Sequence, residues 1–336
     1  MRTLLIALGL VASVAAHADQ RNDQLYQVST MDALLSGVYD SVATVSSVTE
    51  HGDFGLGTFA ALDGELMLLD GVVYQAVFDG TVNAMPPSTG APFMAVTRFE
   101  ADQVHDVPEA QDYATFQRWL KDKLPSDNLC YAVRVDGGFA HISYRSVPPQ
   151  EKPYAPLGEV IANEQTVFEQ KNIDGTLMGF WCPAFSEGIN VPGFHLHFLS
   201  ADRRRGGHLL NFKSANATTS VDTTAMRNIS LPSITNYLRA DLSDDRSAEL
   251  QAVEQSPGAA EAAPESIRDD DRIVKVAPSV LHNSRSLGSE HWRSMVGPAK
   301  GDNALPRAAV RAGYSVALSR ASHPPAARQA SARRWP

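Results

Sequence analysis

The chain has 336 residues, 43% of them hydrophobic and 20% charged, which excludes a fibrous, a wholly disordered or a small disulfide-stapled protein and, at roughly 100–200 residues per domain, allows two or three domains. Its formal charge of −9 conceals a division: residues 256–336 hold 12 Lys and Arg against 7 Asp and Glu, whereas residues 1–255 hold 17 against 31. A body at −14 excludes binding to a phosphate backbone as its main task, because that requires a Lys/Arg surface.

Residues 1–18 read as a signal peptide: Met1-Arg2-Thr3 is a charged start, residues 4–14 are an apolar run, and Ala16-His17-Ala18 is an A-x-A cleavage site. The run is too short to span a bilayer, which takes about 18 or more apolar residues, and no other segment reaches that length. The expectation is an exported protein, periplasmic or secreted, with no membrane partner after cleavage.

Met31, Leu34, Leu35 and Val38 have helical spacing behind Ser29-Thr30 as N-cap, which predicts a helix over 31–38. From residue 52 the texture changes to glycine-punctuated strands at 55–59, 65–69, 72–77 and 82–84. Asp63-Gly64 and Asp70-Gly71 supply tight turns between them, so a meander of antiparallel strands is expected, with a further strand at 93–99. Tyr113, Phe116, Trp119 and Leu120 form a helical stripe within 109–123, read as core, and Lys121 and Lys123 suit the C-terminal end of the dipole. Runs at 130–135 and 139–144, joined by Asp136-Gly137-Gly138, predict a hairpin. Pro148, Pro149, Pro153 and Pro156 mark a connection or domain boundary; strand-like runs then follow at 175–181, 193–199 and 207–212, and a helix-like stretch at 230–239.

The balance predicts a mixed α/β, strand-rich fold of α+β character with two sheets. Its expected parts are an N-terminal β-rich domain over 25–150 and a second domain over 151–255. From residue 256 onward Pro, Ala, Ser and Arg dominate without hydrophobic period, and after Asp302 six arginines appear with no acid. Such a segment buries too little apolar area to offset its ordering entropy, so 256–336 is read as a mostly disordered basic tail. The two cysteines, Cys130 and Cys182, allow one bridge at most; Cys130 lies in a strand-like run where a small buried hydrophobe is the plain reading.

The most specific chemistry is in Gly193-Phe194-His195-Leu196-His197-Phe198-Leu199, followed by Asp202-Arg203 and Gly206-Gly207-His208. Residues two apart on a strand share a face, so His195 and His197 aim together while Phe194, Leu196 and Phe198 bury the other side. A reversal over 200–207 lets His208 start the adjacent strand and bring a third nitrogen. Three histidines with open positions fit a catalytic metal centre, with zinc the first choice and Fe, Mn, Ni or Cu compatible with imidazole. The competing reading is chance: paired histidines occur on exposed strands, and three need not meet.

Together with Gly55-Leu56-Gly57-Thr58-Phe59, Leu62-Asp63-Gly64-Glu65, Tyr144-Arg145 and Glu249-Leu250 to Glu254, these residues resemble the acetolactate decarboxylase family over most of 25–255. The resemblance implies a two-domain, usually dimeric α/β fold and conversion of 2-acetolactate to acetoin and carbon dioxide. By it, His195, His197 and His208 are zinc ligands, Glu65, Arg145 and Glu254 the surrounding functional residues, and Thr58 a substrate hydrogen bond. The substrate's ketone and hydroxyl can chelate one metal, which then holds as an enediolate the electron pair released with carbon dioxide, protonated stereoselectively, so no organic cofactor is needed. The expected partners are therefore a small-molecule substrate and a second copy of the chain, with no nucleic acid. This chain departs from the family in running on for about eighty residues past the last matching segment. Two rivals use the same histidines: a periplasmic metal-binding protein, and a cupin-like dioxygenase, whose pattern wants a Glu shortly after the second His where Ser200-Ala201-Asp202 stands.

Overall fold

The computed structural model describes residues 23–254 and 272–275, so the expected signal peptide and most of the expected tail lie outside the described residues. β1 (Gln24–Val28) and β2 (Ala43–Thr44) come first, the meander predicted from the Asp-Gly turns is present as β3 (Phe54–Thr58), β4 (Glu65–Leu69), β5 (Val72–Ala76) and β6 (Val82–Ala84), and β7 (Gly90–Ala91) and β8 (Phe93–Thr97) complete this half of the chain. Helices α1 (Met31–Leu35) and α2 (Val45–Thr49) interrupt it, each capped by a threonine side chain, Thr30 and Thr44. The second half of the chain supplies β9 (Gln103–Val107), α3 (Tyr113–Lys121), β10 (Cys130–Ser146), α4 (Leu157–Glu164), β11 (Thr166–Cys182), β12 (Gly193–Ser200), β13 (Gly206–Thr224), β14 (Met226–Ser230), α5 (Thr235–Arg239), α6 (Ser247–Glu254) and β15 (Arg272–Lys275).

Two large sheets result. The first has the order β14-β1-β8-β3-β4-β5-β6; in the second, β10 pairs with β11, β11 with β12, β12 with β13 and β13 again with β10, so four strands close a cycle that β9 extends from β13. The sheets share the chain rather than dividing it at one point: β9 and β10 precede residue 150 and lie in the second sheet, while β14 follows it and pairs in parallel with β1. β15, inside the segment read as a tail, pairs antiparallel with the start of β11.

Period-2 alternation sorts the side chains into layers. On β12, Leu196 and Phe198 join Tyr131, Val133, Phe139, Phe212 and α3's Phe116 in one cluster within the cycle. On the opposite face of the cycle, Ala132, Met178, Phe180 and Leu199 pack with Phe54, Leu56, Met67 and Leu69 of the first sheet. Leu66 and Leu68, turned the other way, pack with Val45 and Val48 of α2.

The hairpin predicted at Asp136-Gly137-Gly138 is not formed. β10 runs straight through these residues and pairs on both sides, Gly137 facing Gly175 of β11 and Ala217 of β13. A Cβ on Gly137 would lie 2.2 Å from the Asn216 carbonyl oxygen, so the glycine serves close approach of β13, and the register shifts just after it as a bulge. The stretch 230–239 is likewise split, with a strand ending at Ser230 and helix only from Thr235. Cys130 and Cys182, on adjacent strands with Cα atoms 4.3 Å apart, are joined as a disulfide.

Candidate metal centre and surrounding acid groups

The histidine-bearing strands meet as a hairpin. Ser200 closes its turn: its hydroxyl donates to Asp202 Oδ1 at 2.6 Å and accepts from the backbone N–H groups of Arg204 and Arg205. With that turn fixed, His197 stands directly opposite His208 and the third histidine, His195, lies two residues back on the same face. Two glycines permit this geometry through close approach. A Cβ on Gly179 would lie 2.0 Å from the His195 carbonyl oxygen, and one on Gly207 would lie 2.3 Å from that of Arg145. β11 and β10 thereby press against the ligand strands and hold their backbones.

The three rings are buried, with centroids 5.2, 5.2 and 5.5 Å apart, and each offers a nitrogen within 4.8 Å of the others. His197 Nδ1 donates to the Leu66 carbonyl at 2.9 Å, which fixes its tautomer and leaves Nε2 as a lone pair toward the cluster. Burial drives all three below the ordinary imidazole value: His197 to about 3, with Arg145 adding to the effect, and His195 and His208 well below, each helped by Arg145 and neighbouring rings. They are therefore neutral, the form that ligates a metal.

Two carboxyls and a guanidinium complete the ring of groups. Glu65, at the start of β4, places Oε2 3.6 Å from His197 Nε2, and Glu254, at the end of α6, places Oε2 3.5 Å from His208 Nε2. Burial raises Glu65 to about 7 and Glu254 to about 8, in both cases against the pull of Arg145. Arg145, 2% exposed, donates from Nη1 to the Val253 carbonyl at 2.5 Å, while its Nε has no partner among the described residues. Thr58 faces Glu65 across β3 and β4 and donates its hydroxyl proton to the Gly64 carbonyl at 2.7 Å, leaving only lone pairs for a ligand.

All seven residues singled out from the sequence line one cavity, with an apolar wall that includes Met31, Leu62, Phe93, Leu157 and Ile161. Sequence reasoning missed this wall and the two carbonyls, of Leu66 and Val253, that orient His197 and Arg145. No sequence signal marks a backbone carbonyl as an anchor. The donor set fits a metal ion. Three neutral imidazoles converge, and His195 Nδ1 is buried without a hydrogen-bond partner among the described residues, an unsatisfied polar atom that metal ligation would account for.

The family described as "Alpha-acetolactate decarboxylase" matches residues 25–244. The chain belongs to the alpha-acetolactate decarboxylase family. As a member it is an enzyme of the carboxy-lyase class. Among acetolactate decarboxylases of curated sequence, that of Methanosarcina mazei is 42% identical over 238 residues, covering 71% of this chain and 82% of the relative. That of Bacillus licheniformis is 39% identical over 240 residues, covering 71% and 94%. The crystal structure of the Bacillus subtilis acetolactate decarboxylase superposes with a TM-score of 0.68 at 37% identity, over 69% of this chain and all of the other. Every site residue through His208 lies inside the family match; Glu254 lies ten residues beyond it.

Proposed function

We propose that this chain is an exported, zinc-dependent enzyme that converts 2-acetolactate to acetoin and carbon dioxide. The observation that carries the reading is the convergence of three neutral imidazoles with two carboxyls raised to about 7 and about 8 around one arginine. Imidazole ligands without sulfur, in a site with open positions, suit zinc. When bound, the metal supplies a Lewis acid for the electron pair that carbon dioxide leaves behind.

The chain's own residues do the rest. Arg145 is oriented through Nη1 by Val253, and among the described residues its Nε has no hydrogen-bond partner, so the guanidinium has a donor to spend on the substrate carboxylate or on an oxyanion. Loss of carbon dioxide leaves an enediolate that takes one proton on carbon. Glu65 and Glu254 both hold a proton near neutral pH, and they stand beside different histidines, so a proton from either reaches a fixed face. The apolar wall excludes bulk water, which keeps protonation from becoming random. Export is supported by the N-terminal 18 residues and by the Cys130–Cys182 bridge, a bond at home in an oxidising compartment. A homodimer is part of the proposal on family resemblance.

The test is direct. Purified protein given racemic 2-acetolactate should form acetoin from one enantiomer first, with one enantiomer of acetoin in excess; zinc-loaded protein that forms no acetoin would overturn the reading.

A further inference from the structure

β12 and β13 pair through only three residues each, His197–Leu199 with Gly206–His208. Beyond that point they part. β12 continues on β11, Leu196 facing Gly179 and Phe194 facing Trp181, while β13 continues on β10, Leu209 facing Tyr144 and Asn211 facing Ser143. The fork opens at the histidine pair itself. A cleft enters it, lined by Leu196 and Leu209 of the parting strands, by α3 and by Leu250 and Gln251 of α6, and reaches Glu254, which also lines the histidine cavity.

The walls of this cleft are fixed. The backbone N–H of Tyr113 donates to Asn211 Oδ1 at 3.4 Å and its ring packs on Phe212 at 5.8 Å, which seats α3 on β13. Exposure falls from Arg118 at the surface to Leu196 and Leu209, both almost fully buried, so the cleft has a mouth and a floor. Arg118 and Lys121, one turn apart on α3, line the outer part. Arg118 Nη2 donates to Thr115 Oγ1 at 3.2 Å, and Lys121 pairs with Asp127 while its Nζ lies 4.6 Å from the centre of the Trp181 ring. Both cations are thus held at the mouth, Lys121 with its charge paired to Asp127, and Glu187 shares the lining.

The body of the protein is strongly acidic, and an acidic surface repels an anion over most approaches. A route into the cavity for a monocarboxylate must offset that repulsion locally. We infer that the carboxylate substrate enters through the fork between β12 and β13 and that Arg118 and Lys121 steer it there. The inference rests on the site being an acetolactate decarboxylase centre and adds the path and the residues that select for anionic charge. Neither cation touches the reacting atoms, so their effect belongs in substrate capture and not in the chemical step.

The experiment compares charge-matched variants of the full chain loaded with metal. Arg118→Glu and Lys121→Glu are each set against Lys171→Glu, an exposed lysine on β11 that does not line the cleft. At low ionic strength each α3 reversal should lower kcat/KM for 2-acetolactate about five-fold or more with kcat within about two-fold, and should flatten the fall of kcat/KM with added salt. Lys171→Glu should leave the salt slope as in the parent. If the α3 variants and Lys171→Glu behave alike, the inference is overturned while the parent's own turnover stands. A second arm needs no turnover: stopped-flow binding of 2-hydroxy-2-methylpropanoate at low ionic strength should give an association rate constant lowered several-fold by Arg118→Glu and unchanged by Lys171→Glu, and equal association rates would contradict the path whatever the parent does with 2-acetolactate.

Discussion

An imidazole in water is half protonated near pH 6.5, and three of them with nitrogens inside 4.8 Å would repel as cations. Burial removes that conflict by keeping His195, His197 and His208 neutral, and the same burial keeps Glu65 and Glu254 protonated well above the ordinary carboxyl value. The sign of the consequence follows. At pH 6 the metal-free protein holds protons on both carboxyls, raised to about 7 and about 8, and none on the imidazoles. A cation favours an ionised carboxylate while decarboxylation still needs one protonated donor, so zinc binding should release about one proton at pH 6, falling toward zero by pH 9. Calorimetry in buffers of different ionisation enthalpy measures this; release that is absent at pH 6, or that grows with pH, would contradict the assignment of neutral imidazoles beside protonated carboxyls. At this scale the sequence was informative wherever a strand's two-residue period does the aiming, as for His195 and His197. It was silent on Leu66 and Val253, because any residue presents the same carbonyl.

Glycine explains both a success and a failure at the scale of elements. Asp70-Gly71 ends β4 and turns directly into β5, and Asp63-Gly64 closes the longer loop over 59–64 that enters β4, with Gly64 at φ 77° and Gly71 at φ 79°. Asp136-Gly137-Gly138 has the same local composition but sits between two partner strands, and there the missing side chain admits Asn216 of β13. Local composition does not record whether a neighbour needs the space. The far half of β13, rich in Thr, Ser and Asn, was also illegible, because its side chains alternate without the apolar contrast that marks a half-buried strand. The tightest such contact bears on function. Gly179→Ala puts a methyl where the His195 carbonyl stands at 2.0 Å, so β12 must move. The variant should lose bound metal and at least about ten-fold in kcat/KM, with a Tm lowered by several degrees; metal content and kcat/KM equal to the parent would show that β11 does not position His195.

For the molecule as a whole, the two-sheet architecture was legible from its strand-rich texture, and the placement of the site was not. The cavity draws Thr58 and Glu65 from the first sheet, Arg145 and the histidines from the second, and Glu254 from α6, contacts separated by up to about 200 residues of chain that only tertiary packing brings together. The segment beyond residue 255 contributes no described residue to the cavity, and β15 adds only four pairs to the edge of β11. Removing 256–336 should therefore change kcat/KM by less than about two-fold and shift the net charge from −9 to −14. Assay and electrophoretic mobility of the shortened chain check both; a loss of activity beyond ten-fold would make the segment part of the enzyme.

Dependence of decarboxylation on a metal held by His195, His197 and His208 is read out by stoichiometric reconstitution. Metal-stripped protein should form no acetoin from 2-acetolactate, activity should rise linearly with added zinc and break at one zinc per chain, and His197→Ala should neither retain the ion nor recover activity. Acetoin formation at the parent rate by the stripped protein, or by His197→Ala without bound metal, would contradict the account.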